Sequence, residues 1–328
     1  DEALHRVLES IDHGESGCVV APAGARIPLI ASMAQRRDKT IYVVVPTGRE
    51  AEETASALRA WDDDVEVFPS WETLPHERLS PQVDTMAQRI AVLRRLIHPH
   101  EHAGALNVVV IPVRALMQPI IHGIADRAPV RVKAGDIVDL PNLARELENL
   151  GYTRVDMVEQ RGQFSVRGGI LDVFPPQEAH PLRIELWGDE VDEIRAFSLS
   201  DQRTLGVVDS GVWAVACREL LLAPQVRAKA RTEMDRLPGA AEILELASQG
   251  IAAPGLESLA PILVGGMDSF LDLIPAGGLF VAIDPERIRA RGTDLVATTE
   301  EFLSAAWSQA AGGGAVPLEA GDASFIPL

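Results

Sequence analysis

Two arginines and a tryptophan are the side chains in this sequence best suited to bind another molecule. Residues 162–197 predict short strands joined by tight turns, because glycines and prolines interrupt the apolar runs. Alternation along Leu182–Trp187 places Arg183 and Trp187 on one face, and Arg167 lies at a preceding turn. Tryptophan and arginine are common anchors of protein interfaces. An outward tryptophan covered by a helix, with arginines that only solvate the sheet, would give the same pattern.

A second candidate is a nucleotide site near the start of the chain. Gly17–Val20 predicts a buried strand, residues 21–26 a small-residue loop and Ile27–Gln35 a helix. Strand, loop and helix together outline a phosphate-binding loop. Its chemistry is missing, because the working motif G-x-x-x-x-G-K-[ST] needs a lysine for the phosphates and a hydroxyl for Mg²⁺.

The elements around these candidates indicate a mixed α/β fold. Strands are predicted at 41–45, 65–68, 108–111, 130–133, 137–140 and 279–283, and helices at 49–61, 84–97, 286–290 and 299–307. Thr47 and Asp84 are predicted helix caps. Because the pattern becomes strand-rich after residue 127, we expect a discontinuous parallel-sheet domain (1–127 and 213–328) with a small β-rich domain (128–212) inserted in it.

Composition limits the classes of function. The 328 residues are 47% apolar and 24% charged, an ordinary mixture for a globular protein. The formal net charge of −18 argues against this segment gripping nucleic acid by itself. Cys18 and Cys217 are the only cysteines, so no disulfide framework, cysteine zinc site or metal is expected. Without a signal peptide or an apolar run of spanning length, we expect a cytoplasmic protein with no membrane partner. No end signal is obvious, which favours a fragment of a longer protein.

Three ungapped motifs carry a resemblance to a known family. F-S-V-R-G-G-I-L-D-V-F-P (164–175) and L-R-I-E-L-W-G-D-E-V-D-E-I (182–194) resemble the second domain shared by the excision-repair protein UvrB and the bacterial transcription-repair coupling factor, Mfd. W-E-T-L-P-H-E-R-L-S-P (71–81) is closer to the first domain of the coupling factor than to UvrB. The resemblance covers nearly the whole chain, but only the first part of the family's length.

The resemblance implies a docking role for the β-rich domain, which in this family binds UvrA. The family's contact positions fall on Arg167, Arg183 and Trp187. The arginines would supply charge-assisted hydrogen bonds to acidic groups on UvrA, and the tryptophan a desolvated anchor. The family commonly has phenylalanine at this third position, so Trp187 keeps the aromatic type and changes its size.

The resemblance also implies that the nucleotide site is degenerate. Beyond Gly24 of the loop, Ile27 stands at the lysine position and Pro28 at the hydroxyl position. After the strand at 279–283, Asp284 remains from the acidic pair that would hold Mg²⁺, but Pro285 replaces the glutamate. With two independent elements lost, this chain is expected to hydrolyse no ATP and to hold no cofactor.

The function implied is that of a UvrA-recruiting, non-hydrolysing N-terminal module. The full-length protein would be an ATP-dependent DNA translocase, using ATP and Mg²⁺ in a motor outside this sequence. It would act on RNA polymerase and double-stranded DNA, removing stalled polymerase and directing nucleotide excision repair. One alternative is a UvrB-type damage-verifying helicase subunit, although only Tyr42 and Tyr152 are available for the Tyr-rich hairpin it needs. Another is an autoinhibitory clamp in intramolecular contact with the protein's own C-terminal region.

Overall fold

The computed structural model describes residues 6–7, 9–11, 13–36, 39–74, 77–101, 104–311 and 325–326. Helices and strands alternate along the first part of the chain, as the sequence predicts. They are α1 (Ala23–Ala34), β1 (Ile41–Val45), α2 (Gly48–Leu58), β2 (Val65–Val67), α3 (Val83–Ile97), β3 (Val108–Pro112), α4 (Val113–Met117) and β4 (Ile120–Ile121).

The middle of the chain is rich in strands and the last part is mostly helical. The middle contains β5 (Val130–Val132), α5 (Leu140–Asn149), β6 (Thr153–Arg154), β7 (Gln163–Arg167), β8 (Ile170–Val173), β9 (Leu182–Trp187), β10 (Glu190–Phe197), β11 (Thr204–Val207) and β12 (Val212–Ala214). The last part contains α6 (Pro224–Glu233), α7 (Ala241–Gln249), α8 (Ala260–Leu263), β13 (Met267–Asp268), α9 (Phe270–Leu273), β14 (Leu279–Ala282) and α10 (Pro285–Ala311). Among the residues described, no helix combines the length and the apolar character that crossing a membrane requires.

A four-stranded parallel sheet forms the centre of the first region, in the order β14-β1-β3-β2. Its two central strands, β1 and β3, are buried along their whole length, as expected where helices cover both faces of a parallel sheet. Ile41 and Val43 pack with α1 and α2, whereas Tyr42 packs on the side of α3. Because β14 comes from residues 279–282, distant parts of the sequence complete one sheet.

The second sheet has six strands in the order β11-β10-β9-β8-β7-β6. The pairs are antiparallel except β6–β7. Its inner face buries Leu171, Ile184 and Ile194 in one cluster with Leu143 and Leu147 of α5. The short strands predicted within residues 162–197 are thereby confirmed, and the fold is a mixed α/β architecture with a parallel sheet and a separate β-rich sheet.

The segment that begins at Trp71 is anchored through its tryptophan. The indole Nε1 of Trp71 donates to Oε1 of Glu219 at 2.7 Å, and Nε of Arg89 donates to the same oxygen at 2.6 Å. The Arg89 guanidinium also lies 4.4 Å from the centre of the Phe68 ring. These buried contacts join the parallel sheet to the chain that returns after β12, so Trp71 is committed to internal packing.

The prediction for the start of the phosphate-loop region is wrong in two respects. Gly17–Val20 forms no strand, and Val20 is almost fully exposed, because β14 takes the edge position beside β1 and no ladder reaches these residues. The helix begins at Ala23 rather than Ile27, so most of the expected loop is the first turn of α1.

Three smaller expectations also differ from the structure. Asp84 does not cap α3, which begins one residue earlier, and it accepts a hydrogen bond from Arg161 instead. Residues 137–140 are no full strand: Ile137 makes a single bridge to Glu190, and α5 starts at residue 140. The helices predicted at 286–290 and 299–307 are one helix, α10, because no proline or glycine pair breaks the run between them. By contrast, Thr47 caps α2 as predicted, its hydroxyl accepting from the Glu50 amide.

Candidate protein-docking site

The strand register of the second sheet brings the two predicted arginines together. Asp172 of β8 lies directly opposite Arg183 of β9, and Arg167 at the end of β7 lies opposite Ile170. Directly paired residues on neighbouring strands point to the same face of a sheet. The outer face therefore carries Arg183, Asp172 and Trp187.

Asp172 is the group that organises the two arginines. Arg183 donates to it through two atoms, Nε to Oδ1 at 2.7 Å and Nη2 to Oδ2 at 2.9 Å. Arg167 donates from Nη2 to Oδ2 at 2.6 Å. The Asp172 carboxylate is only 1% exposed, and its hydrogen bonds raise the pKa of the Arg183 guanidinium. Two guanidinium groups thus share one buried carboxylate, which holds both in fixed positions.

The two arginines differ in how much they offer a partner. Arg183 is 18% exposed, and its guanidinium lies 4.6 Å from the centre of the Phe197 ring. Phe197 belongs to a small apolar cluster with Val158 and Phe174 on the outer face of the sheet. Arg167 is 51% exposed and uses one of its nitrogens on Asp172. Arg167 is therefore the arginine freer to contact another molecule, whereas Arg183 is largely built into the sheet.

Trp187 is the exposed end of this outer face. It lies at the end of β9, before a two-residue turn in which Gly188 has φ +65°. A positive φ is readily adopted only by glycine, so the turn fixes where the tryptophan stands. Trp187 is 84% exposed. The interpretation that a neighbouring helix covers it is wrong for the part of the chain described.

Sequence reasoning missed Asp172, the residue that holds the site together. An aspartate between Leu171 and Val173 in an otherwise apolar strand was the available signal, because a buried carboxylate requires a cationic partner. The resemblance pointed to the two arginines and the tryptophan, but not to the anion between them. Those three residues do lie on one sheet, as predicted.

The second predicted site contains a different arginine–aspartate pair. Arg26 of α1 reaches Asp284, donating from Nη1 to Oδ2 at 3.1 Å and from Nη2 to Oδ1 at 2.9 Å. Arg287 lies 3.7 Å from Asp284 and donates to Glu50 at 2.7 Å. Asp284 has φ +55°, a conformation that aspartate tolerates better than most residues. The remaining carboxylate of the predicted magnesium site is thus already paired within the chain.

The other predicted nucleotide-site residues have structural roles. Gly24 lies in the first turn of α1, Pro28 lies inside this helix, and Pro285 is the first residue of α10. Ile27 packs against the apolar cluster on one face of the parallel sheet. Across the described residues, no group of three or more histidines, cysteines or carboxylates is placed to hold a metal ion. A cavity of about 720 Å³ beside β14 is bordered mainly by apolar side chains of residues 14–33 and 279–285.

Comparison with known proteins places these observations in a family. Residues 130–213 match the model of the UvrB interaction domain. Over 306 residues, 89% of its length, the chain is 44% identical to the transcription-repair-coupling factor of Mycobacterium tuberculosis. The chain is a module of the transcription-repair-coupling factor family. It is also 28% identical to the Haemophilus influenzae factor over 83% of the chain, and 30% identical to the Escherichia coli factor over 56%.

The chain matches only part of the length of each relative. The aligned residues cover 25%, 24% and 16% of the lengths of the Mycobacterium tuberculosis, Haemophilus influenzae and Escherichia coli coupling factors, so the chain spans at most about a quarter of each. Arg167, Asp172, Arg183 and Trp187 all fall inside the residues matched by the UvrB interaction domain, whereas Arg26 and Asp284 fall outside them.

Proposed function

We propose that this chain is the UvrA-recruiting, non-hydrolysing N-terminal module of a transcription-repair-coupling factor. One observation carries the proposal: an 84% exposed tryptophan stands beside two arginines that a buried carboxylate holds in place. All four residues lie within the match to the UvrB interaction domain. A preset cluster of this kind suits protein recognition, because its side chains lose little freedom when they bind.

The chemistry of the face defines the partner surface. Trp187 would enter an apolar pocket and lose its water, as interface anchors of this type do. Arg167 would donate its remaining N–H groups to an acidic side chain of UvrA. Arg183 would contribute mainly by keeping Asp172 neutralised and by presenting its one nitrogen that carries no hydrogen bond to Asp172. These roles refine the expectation that both arginines donate charge-assisted hydrogen bonds to acidic groups on UvrA.

The proposal includes the loss of ATPase activity in a degenerate, helicase-like phosphate-loop domain formed by residues 1–127 and 213–328, with 128–212 as the docking domain. Support comes from Ile27, whose partly buried side chain packs against an apolar cluster where a phosphate-binding lysine would need to be free. Arg26 occupies the Asp284 carboxylate that would hold Mg²⁺. The chain itself would therefore use no cofactor.

The activity of the full-length protein is part of the same proposal. It would be a cytoplasmic ATP-dependent DNA translocase, with ATP and Mg²⁺ bound in its own motor, that displaces stalled RNA polymerase from double-stranded DNA. This chain would then recruit UvrA to the lesion for excision repair. The exposure of Trp187 also favours a second role, in which the protein's own C-terminal region covers the docking face until polymerase is engaged. The UvrB-type helicase alternative gains no support from the paired Asp284.

The docking proposal is tested by calorimetric titration of this chain with purified UvrA. The intact chain should bind, and the double variant Arg167→Ala/Trp187→Ala should lose at least about 2 kcal/mol of binding free energy. Both side chains are more than half exposed, so the variant should lose less than about 1 kcal/mol of stability and remain folded. Equal affinity of the two proteins for UvrA would contradict the docking role.

A further inference from the structure

The proposed docking face, which consists of Arg167, Arg183 and Trp187, continues beyond Trp187. Ile137, which precedes α5, forms an antiparallel bridge with Glu190, and Glu190 is the cross-strand partner of Trp187. Bridged residues point to the same side of a sheet, so the three side chains form one row. With strands about 4.8 Å apart, Ile137 and Trp187 stand about 10 Å apart on the same surface.

Ile137 is exposed to an unusual degree for an apolar side chain, at 73%. Apart from Val20, no large apolar side chain in the described chain is more exposed than Trp187 and Ile137. Single exposed apolar residues are common, whereas here two of the most exposed apolar side chains lie in the same row of one sheet.

Ile137 is also held firmly in place. Val138 donates its amide to the carbonyl of Asp189, and Val191 donates to the carbonyl of Asp136, both at 2.8 Å. These two backbone bonds flank the bridge and fix the backbone of Ile137 against β10. A β-branched side chain has few rotamers, so the position of its methyl groups follows from the backbone.

The charges around this row are opposite in sign to those around Asp172. Asp189 and Glu190 are exposed, and neither forms an ion pair with any residue that the structure describes. The Arg167–Arg183–Asp172 group, in contrast, has two cations for one anion. On the same face, Arg195 is paired with Glu185 and Glu193. The outer face therefore has a basic part around Asp172 and an acidic part at Glu190, which stands between Trp187 and Ile137 in the row.

We propose that Ile137 and Glu190 belong to the docking surface, and that the partner presents an apolar strip for Trp187 and Ile137 with a basic group facing Glu190. This inference rests on the proposed docking function and deepens it, because it defines the partner surface beyond the three residues taken from the family. The opposite charges of the Asp172 group and of Glu190 would allow only one orientation of the partner.

The test is titration of the chain with purified UvrA, using Ile137→Ser and a matched control, Ile251→Ser. Ile251 is another exposed isoleucine, located after α7 and outside the β-rich sheet. Ile137→Ser should weaken binding about 5- to 10-fold, the loss expected for one apolar side chain removed from an interface. Ile251→Ser and the conservative Ile137→Val should change the dissociation constant by less than about twofold.

Glu190 provides an independent measurement. Glu190→Lys should slow association with UvrA by about tenfold at low salt, and the difference should shrink as salt screens the charges. Unchanged binding by Ile137→Ser, with Trp187→Ala weakened, would overturn this inference and leave the docking function standing. Unchanged binding by both variants would overturn the docking function and this inference with it.

Discussion

The molecule contains two arginine–aspartate groups that look alike in the sequence and differ in what surrounds them. At the parallel sheet, Arg26 pairs with Asp284, and both side chains are about one-third exposed. At the β-rich sheet, Arg183 and Arg167 share Asp172, whose carboxylate is almost fully buried. The first group joins α1 to the end of β14. The second group holds Arg167 and Arg183 in place on the outer face of the β-rich sheet.

The balance of charges explains this difference. Arg26 and Arg287 face Asp284 and Glu50, two cations for two anions, so the group at the parallel sheet is neutralised internally. The Asp172 group has one cation in excess, and its more exposed arginine keeps donors available. The comparison shows that the group with balanced charges satisfies its donors within the chain, whereas the group with one extra cation keeps donors that a partner could use.

The largest difference between the two groups should appear in stability. Asp172→Asn removes the only anion between two arginines, one of them mostly buried, and should lower the free energy of unfolding by about 3 kcal/mol. Asp284→Asn acts on a partly exposed pair and should cost less than about 1 kcal/mol. Urea unfolding of both variants measures the contrast. Asparagine keeps the shape at both sites and tolerates the positive φ of residue 284.

The two arginines of the docking face should separate stability from binding. Arg183→Lys loses the two-atom contact with Asp172 and the stacking on Phe197, so its main effect should be about 2 kcal/mol of lost stability. Arg167→Ala should cost less than about 1 kcal/mol of stability but about 1–2 kcal/mol of UvrA binding. Urea unfolding and UvrA titration of each variant give both quantities. The same pattern in both variants would show that the two arginines are equivalent.

Nucleotide should have almost no effect on the stability of the chain, because the Arg26–Asp284 group is already neutralised. With Asp284 paired and Ile27 packed against an apolar cluster, millimolar MgATP should raise the melting temperature of the chain by less than about 1 °C. Differential scanning fluorimetry with and without MgATP makes the comparison, and UvrA serves as the ligand that is expected to bind. A clear upward shift with MgATP would mean that this region of the chain accepts nucleotide, against the proposal.

The smallest expected effect is on the stability of the fold at acidic pH. Burial pushes the pKa of Glu50 upward, but hydrogen bonds from Arg287 and Thr47 outweigh it, and the pKa is lowered from its ordinary value of 4.5. Glu50 therefore stabilises the fold above pH 4.5, and this contribution is lost as the pH falls through the lowered pKa. Glu50→Gln should be less stable than the intact chain at pH 6, and the gap should narrow toward pH 3, as measured by urea unfolding.

Local patterns in the sequence predicted much of the fold. Alternation along β9 gave the face of Arg183 and Trp187, and apolar runs gave β1, β3 and β14, because such patterns depend on neighbours in the chain. The pairing of Arg26 with Asp284 could not be predicted, since 258 positions separate them. Ile137 was missed for a similar reason: its place beside Trp187 comes from a bridge to another strand. Gly17–Val20 has the composition of a strand, but a strand also requires a partner.

The most direct test compares two exposed tryptophans. Trp187→Ala removes the proposed anchor, whereas Trp61→Ala removes a tryptophan that is also exposed but lies just after α2, outside the residues matching the UvrB interaction domain. Calorimetric titration with purified UvrA should show a loss of at least about 2 kcal/mol, about 30-fold in affinity, for Trp187→Ala, and no change for Trp61→Ala. Equal affinities for the two variants would contradict docking through this face.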